Sequence, residues 1–196
     1  MIKKVLVLAL CGVVGSAFAQ TAFWSGDTTG GPTMARPLSY TGTSGSGTAV
    51  HYQVQPFWVT VGGTYTFEIN GVSHPDTYAL AYSSFNPATP LVGLLDGDDD
   101  FSGSFTLLSG TGQGFASSRI GVGETTNFSG GTGLGLSANT QYYAVVAGFG
   151  NNDFGTYDAA IGGGQGRVVL GAVPEPATML ALIAGVAGLA SRRRRK

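Results

Sequence analysis

Between Gln20 and Ala172, large apolar side chains fall at alternate positions in short runs, and glycine, serine and asparagine separate the runs. A period of two places one set of side chains on one face of an extended strand. Runs of this kind predict strands at Ala49–Val54, Phe57–Val61, Thr64–Ile69, Tyr78–Tyr82, Leu91–Leu95, Phe101–Leu108, Tyr142–Phe149, Gly155–Ile161 and Arg167–Leu170. Phe57, Val59 and Val61 share one face, as do Tyr65, Phe67 and Ile69. Gly62-Gly63 between those two runs predicts a two-residue hairpin, because glycine accepts the positive φ that such turns require. Asn70-Gly71 marks the next turn. With no amphipathic helical run in this region, the expected fold is all-β: a single antiparallel β-sandwich of jelly-roll or Greek-key type.

The two ends of the chain follow other patterns. Lys3 and Lys4 precede an apolar stretch from Val5 to Gly15, and Ala17-Phe18-Ala19 is a small-x-small cleavage site. Residues 1–19 therefore read as a secretory signal peptide cut after Ala19, which makes Gln20 the mature N-terminus. Cys11, the sole cysteine, lies inside this leader, and Leu10 before it argues against a lipoprotein signal. The mature region 20–172 then has no disulfide, although an exported location permits one.

At the other end, the box Val173-Pro174-Glu175-Pro176-Ala177-Thr178 leads into an uncharged run from Ala177 to Ala190, and Arg192, Arg193, Arg194, Arg195 and Lys196 close the chain. As a helix the run from Ala177 spans roughly 20 Å, short of the ~30 Å hydrocarbon core. The basic cluster behind it fixes the cytoplasmic side. Residues 173–196, a stiff Pro-Glu-Pro box, a short membrane helix and an Arg-rich end, resemble the PEP-CTERM sorting signal of Gram-negative bacteria. The resemblance implies an exported precursor anchored in the inner membrane and then processed by an exosortase-type enzyme. It also implies a destination at the cell surface or beyond, among exopolysaccharide or biofilm. Pro174, Glu175 and Pro176 would form the recognised motif.

Without its two flanking segments, the central region has three cations, Arg36, Arg119 and Arg167, against ten carboxylates, and no lysine. The formal charge of −1 for the whole chain conceals this imbalance. An acidic, lysine-free domain suits neither nucleic acid nor an anionic membrane surface. Across the whole chain, 11 Phe, 8 Tyr and 2 Trp, all but Phe18 in this region, supply apolar surface for a real core despite a chain total of 33 glycines.

A second resemblance covers Gly47 to Gly163. It rests on His51-Tyr52-Gln53-Val54-Gln55-Pro56-Phe57, Gly63-Thr64-Tyr65-Thr66-Phe67, Asp76-Thr77-Tyr78-Ala79-Leu80-Ala81-Tyr82 and Phe85-Asn86-Pro87. Asp96-Gly97-Asp98-Asp99-Asp100, Tyr142 to Phe149 and Asp153-Phe154-Gly155-Thr156-Tyr157 complete it. The region is similar to the bacterial pre-peptidase C-terminal type of β-sandwich, which implies a non-catalytic accessory or binding module.

Candidate chemistry centres on Asp96, Asp98, Asp99 and Asp100. Ca²⁺ takes six to eight oxygen ligands, and dense carboxylates on a glycine-containing loop supply several; Asp76 or Asp153 could add to them. The run is not an EF-hand, since Phe101 stands where the loop glycine belongs and Leu107 where the bidentate Glu belongs. The alternative is an acidic, solvated turn that discourages edge pairing. His51 and His74, the only histidines, are too few for a His-rich zinc site. No Gly-x-Ser-x-Gly elbow supports a serine nucleophile. The glycine runs at Gly110–Gly114, Gly130–Gly135 and Gly162–Gly166 lack a phosphate-loop context and read as surface loops. Exposed aromatics such as Trp24, Trp58 or Tyr157 could stack on sugar rings, although the strand around Trp58 favours packing. The expected function is that of a non-enzymatic surface or matrix protein. Its alternatives are a carbohydrate- or Ca²⁺-binding module and a secreted hydrolase with an unrecognised site.

Overall fold

A computed structural model describes residues 19–174, so the predicted signal peptide and the membrane helix with its basic end lie outside the described residues. Those residues form strands and loops, with no helix among them. In chain order the strands are β1 (Ala22–Asp27), β2 (Thr33–Met34), β3 (Pro37–Ser39), β4 (Gly42–Thr43), β5 (Val50–Val59), β6 (Gly63–Gly71) and β7 (Thr77–Tyr82). They continue as β8 (Leu94–Asp98), β9 (Ser117–Ile120), β10 (Leu134–Leu136), β11 (Tyr142–Gly148), β12 (Thr156–Gly162) and β13 (Val168–Leu170).

Two antiparallel sheets carry most of them. One runs β1-β12-β6-β10, with β9 also paired to β6. The other runs β13-β5-β11-β7-β8, with β2 paired to β5. The inward faces of both sheets supply one buried cluster. Phe57, Val59, Ala79, Ala81, Tyr142, Ala144 and Val146 come from the second sheet, and Tyr65, Phe67, Ile69, Ile120, Leu134, Ala159 and Ile161 from the first.

The predicted faces hold, but the predicted hairpin does not. Phe57 and Val59 lie in that core, as do Tyr65, Phe67 and Ile69. Yet β5 and β6 belong to different sheets, so Gly62-Gly63 is an arch that carries the chain across the core. Strand β6 is flanked by β12 on one edge and by β10 and β9 on the other, while β5 has β11 along one edge and β13 and β2 on the other. Both hydrogen-bonding edges of each strand are taken. Alternation decides which face is buried, and says nothing about the neighbour.

Three further differences follow. Ala49–Val54 and Phe57–Val61 merge into the single strand β5 through Pro56. The strand predicted at Leu91–Leu95 begins three residues later and runs into the acidic stretch. Phe101–Leu108 is no strand: Phe101 and Phe105 pack on each other at 5.4 Å, and Gly112 N donates to Gly103 O, closing a local loop.

A second apolar layer covers the outer face of the six-stranded sheet. Tyr52, Tyr78, Leu80, Tyr82 and Val145 point away from the main core and are covered by Met34 from β2 and by Phe85 and Phe128 from the loops. All six residues of β7 are therefore buried. Phe67→Ala should cost about 3–5 kcal/mol of stability in urea unfolding, the range for a fully buried phenylalanine. Phe115→Ala, at a side chain 67% exposed, should stay within about 0.5 kcal/mol.

Candidate functional site

The acidic run divides where β8 ends. Residues 96 and 98 point to the same side of the strand, and both are buried. The Asp96 carboxylate accepts Ser129 Oγ at 2.6 Å, Ser129 N at 3.1 Å and Gly97 N at 2.9 Å. Asp98 accepts Thr126 Oγ1 at 2.7 Å and, from β9 in the facing sheet, Arg119 N at 2.7 Å. These two carboxylates fasten the 126–129 loop, and that loop brings Phe128 over Tyr78. Gly97 leaves room for it: a Cβ there would lie 2.6 Å from Phe128 Cε2. Burial pushes both carboxyls up, Asp98 to about 6.

Asp99 and Asp100, past the strand end, meet Asp76 at the start of β7. One carboxylate oxygen from each of the three lies within 4.8 Å of the others. Each Oδ1 is buried and has no hydrogen-bond partner among the described residues. Burial first, and then the neighbouring like charges, raise Asp76 to about 6 and Asp99 to about 7, and burial raises Asp100. Of the predicted set, the fold thus brings Asp99 and Asp100 together with Asp76, and commits Asp96 and Asp98 to the loops. Asp153 lies near enough to Asp76 to raise it, while its own Oδ2 accepts Gly150 N at 2.7 Å.

Arg36 is the adjacent cation. It is 1% exposed, its guanidinium 4.0 Å from the centre of the Phe149 ring and 4.4 Å from that of Tyr78. Nη2 donates to Ser44 Oγ, and the charge partly offsets the rise of Asp76 and Asp99. Aromatic faces and nearby carboxylates make its burial tolerable.

Glu68 was not legible as special in the sequence, since it occupies an ordinary outward position in a strand. It is fully buried under the 105–108 turn. Its carboxylate accepts Thr106 N, Thr106 Oγ1, Leu107 N and Leu108 N at 2.7–2.9 Å, and pairs with Arg119 Nε at 3.2 Å.

The remaining candidates have packing roles. His51 Nδ1 lies 2.8 Å from Gly31 O, and its ring meets Phe154 edge-on. His74 is 2% exposed, and burial lowers it to about 4. Neither hydrogen-bonds a serine hydroxyl. Trp24 stacks on Phe67 in the core, Trp58 is half-buried, and Tyr157 donates to Gln53 Oε1. Around Trp24, the residues Phe23, Ser25, Leu108 and Asp158 line a shallow cleft of about 270 Å³.

The sorting box starts where the fold ends. Gly171 N donates to Pro56 O, and Val173 N donates to Gln141 Oε1, both at 2.8 Å. Pro174 is the last described residue, so Glu175, Pro176 and the cluster Arg192–Arg195 lie beyond it, and Ala17 lies before the first. The sequence profile of the PEP-CTERM protein-sorting motif matches residues 172–195. No curated protein matches the chain. The motif marks an exported precursor held at the membrane and processed at its C-terminus by an exosortase-type enzyme.

Glu68→Gln removes the charge facing Arg119 and turns an amide donor toward backbone donors. It should cost about 3–5 kcal/mol in chemical unfolding, the range for breaking a buried pair.

The acidic trio has a pH signature in the metal-free domain. The unfolded chain releases the Asp76 and Asp99 protons near 3.8, whereas the folded domain keeps them to about 6 and 7. The stability they contribute is full below pH 4 and is lost as pH rises through 6–7. His74 acts in the opposite sense: its contribution is present above its unfolded value of 6.5 and is lost as pH falls toward 4. That contribution is common to both proteins in a comparison of wild type with Asp99→Asn. Between pH 5 and 8 the wild type should lose more stability than the variant, measured by unfolding at each pH; parallel profiles would contradict the coupling.

Proposed function

We propose that the mature chain is a non-enzymatic surface or extracellular-matrix protein. In this reading a single β-sandwich of jelly-roll or Greek-key type is exported by a signal peptide cut after Ala19. Its tail at 173–196 is then processed, and it comes to rest among the exopolysaccharide of a Gram-negative biofilm. The observation that carries the reading is the sorting motif at 172–195, which follows directly on the last strand. The use of side chains supports it. Asp96, Asp98 and Glu68 are bound to loop donors, and the His51 ring lies against the Gly31 carbonyl and the Phe154 ring.

The processing half of the reading is tested on the tail itself. Flanking prolines hold the backbone extended around Glu175 and present its side chain to an enzyme. Glu175→Ala, or deletion of Arg192 to Lys196, should leave a full-length precursor in the membrane fraction on immunoblots of the native host. Normal processing of both variants would overturn the sorting role.

A second reading, a Ca²⁺-binding module, has the trio of Asp76, Asp99 and Asp100 behind it. Hard oxygen donors within 4.8 Å of one another suit ligand distances of about 2.3–2.6 Å around Ca²⁺. The set has neither nitrogen nor sulfur, which disfavours Zn²⁺. A cation would give the three unpartnered Oδ1 atoms a counter-charge and hold the start of β7 to the end of β8. Millimolar Ca²⁺ at pH 7.5 should raise the melting temperature of the wild type and leave that of Asp99→Asn unchanged. A melting temperature insensitive to Ca²⁺ and to chelator would remove this reading.

A further inference from the structure

The short stem that joins the domain to its sorting motif is fastened to the fold. Strand β13 pairs with the end of β5 through Val168 to Leu170. Gly171 N then donates to Pro56 O at 2.8 Å, and two residues later Val173 N donates to Gln141 Oε1 at 2.8 Å. Gln141 is itself anchored, its Nε2 shared between Phe57 O at 3.0 Å and Tyr142 O at 2.9 Å. With the amide nitrogen committed to the sheet, the amide oxygen is left for the stem. Ala172 and Val173 belong both to this docked stem and to the matched motif.

Docking limits what a processing enzyme can reach. Enzymes that cut chains take the backbone extended, through its own N–H and C=O groups, and the Val173 N–H is occupied by Gln141. Reach is the second limit. With Val173 docked, only Pro174 to Pro176 separate the domain from the apolar run at Ala177, about 10 Å when extended. Released back to Leu170, the span from Gly171 to Pro176 reaches about 20 Å. A domain of this size has a radius of gyration of about 15 Å, so the shorter tether presses its bulk against an enzyme seated in the membrane.

We propose that Gln141 is a positioning residue for C-terminal processing: its carboxamide holds Val173 on the domain, and the stem leaves Gln141 before the motif is cut. The inference rests on the sorting role of residues 172–195. Three variants of the full-length chain test it by pulse-chase in the native host, which has its own processing enzyme. Gln141→Met keeps the side-chain length and loses the Oε1 acceptor of the stem, along with the Nε2 donor to Phe57 O and Tyr142 O. Freeing Val173 in this way should speed processing about threefold to tenfold, the factor for one lost hydrogen bond to the stem. Six Gly/Ser residues inserted between Leu170 and Gly171 should speed it at least as much, by lengthening the tether. The two changes together should be no faster than the insertion alone. Processing of Gln141→Met at or below the wild-type rate would overturn the proposal. So would a gain that persists on top of the insertion, because that is the mark of general loosening. A wild-type chain left uncut would overturn the sorting role, and the proposal with it.

Discussion

Buried carboxylates hold this protein's loops to its sheets, and much of the structure depends on that arrangement. A fold of strands and long connections leaves many backbone N–H groups without a ladder partner, and each needs an acceptor when covered. A carboxylate can serve several at once. Glu68 receives three consecutive N–H groups of the 106–108 turn, and Asp96 and Asp98 receive donors from the segment 119–129. Two of the three central arginines are buried as well, Arg119 against Glu68 and Arg36 near Asp76 and Asp99. Part of the acidic excess, Glu68, Asp96 and Asp98, is thus internal fastening rather than surface charge.

The fastening shapes the core. Because Asp96 and Asp98 hold the 126–129 loop, Phe128 reaches Tyr78 and Tyr40, and the six-stranded sheet gains apolar cover on its outer face. Arg36 completes that cover from the N-terminal side, between Tyr78 and Phe149. One group of carboxylates stands apart. Asp76, Asp99 and Asp100 converge, and the Oδ1 of each has no donor among the described residues, so like charges meet where burial already disfavours them. Frustration of this kind has two outlets, a retained proton or a bound cation.

Much of the fold was legible because alternation is a local property. Phe57, Val59, Tyr65, Phe67 and Ile69 were read to the correct faces from spacing alone. Their pairing was not, because Gly62-Gly63 satisfies a hairpin and an arch equally well, and the choice lies with distant strands β11, β12 and β13. Strands β1, β9 and β10 went unread for a related reason: Ser117 to Ile120 and Leu134 to Leu136 are too short or too polar to alternate visibly. At the site, Asp99 and Asp100 were marked by density of charge, and Asp76 only as a possible addition. The division between Asp98 and Asp99 depends on where β8 stops. Glu68 and Gln141 gave no signal, because their importance comes from loops and a stem that fold back over them.

The tail is the one part whose meaning came directly from residue order, and the fold adds that its first residues are part of the domain. The central claim is that this domain is delivered and then parted from its membrane tail. Intact mass of the protein recovered outside cells of the native host tests it most directly. The account predicts a species that begins at Gln20 and lacks the apolar run from Ala177 together with Arg192 to Lys196. A secreted species that retains that tail would contradict it.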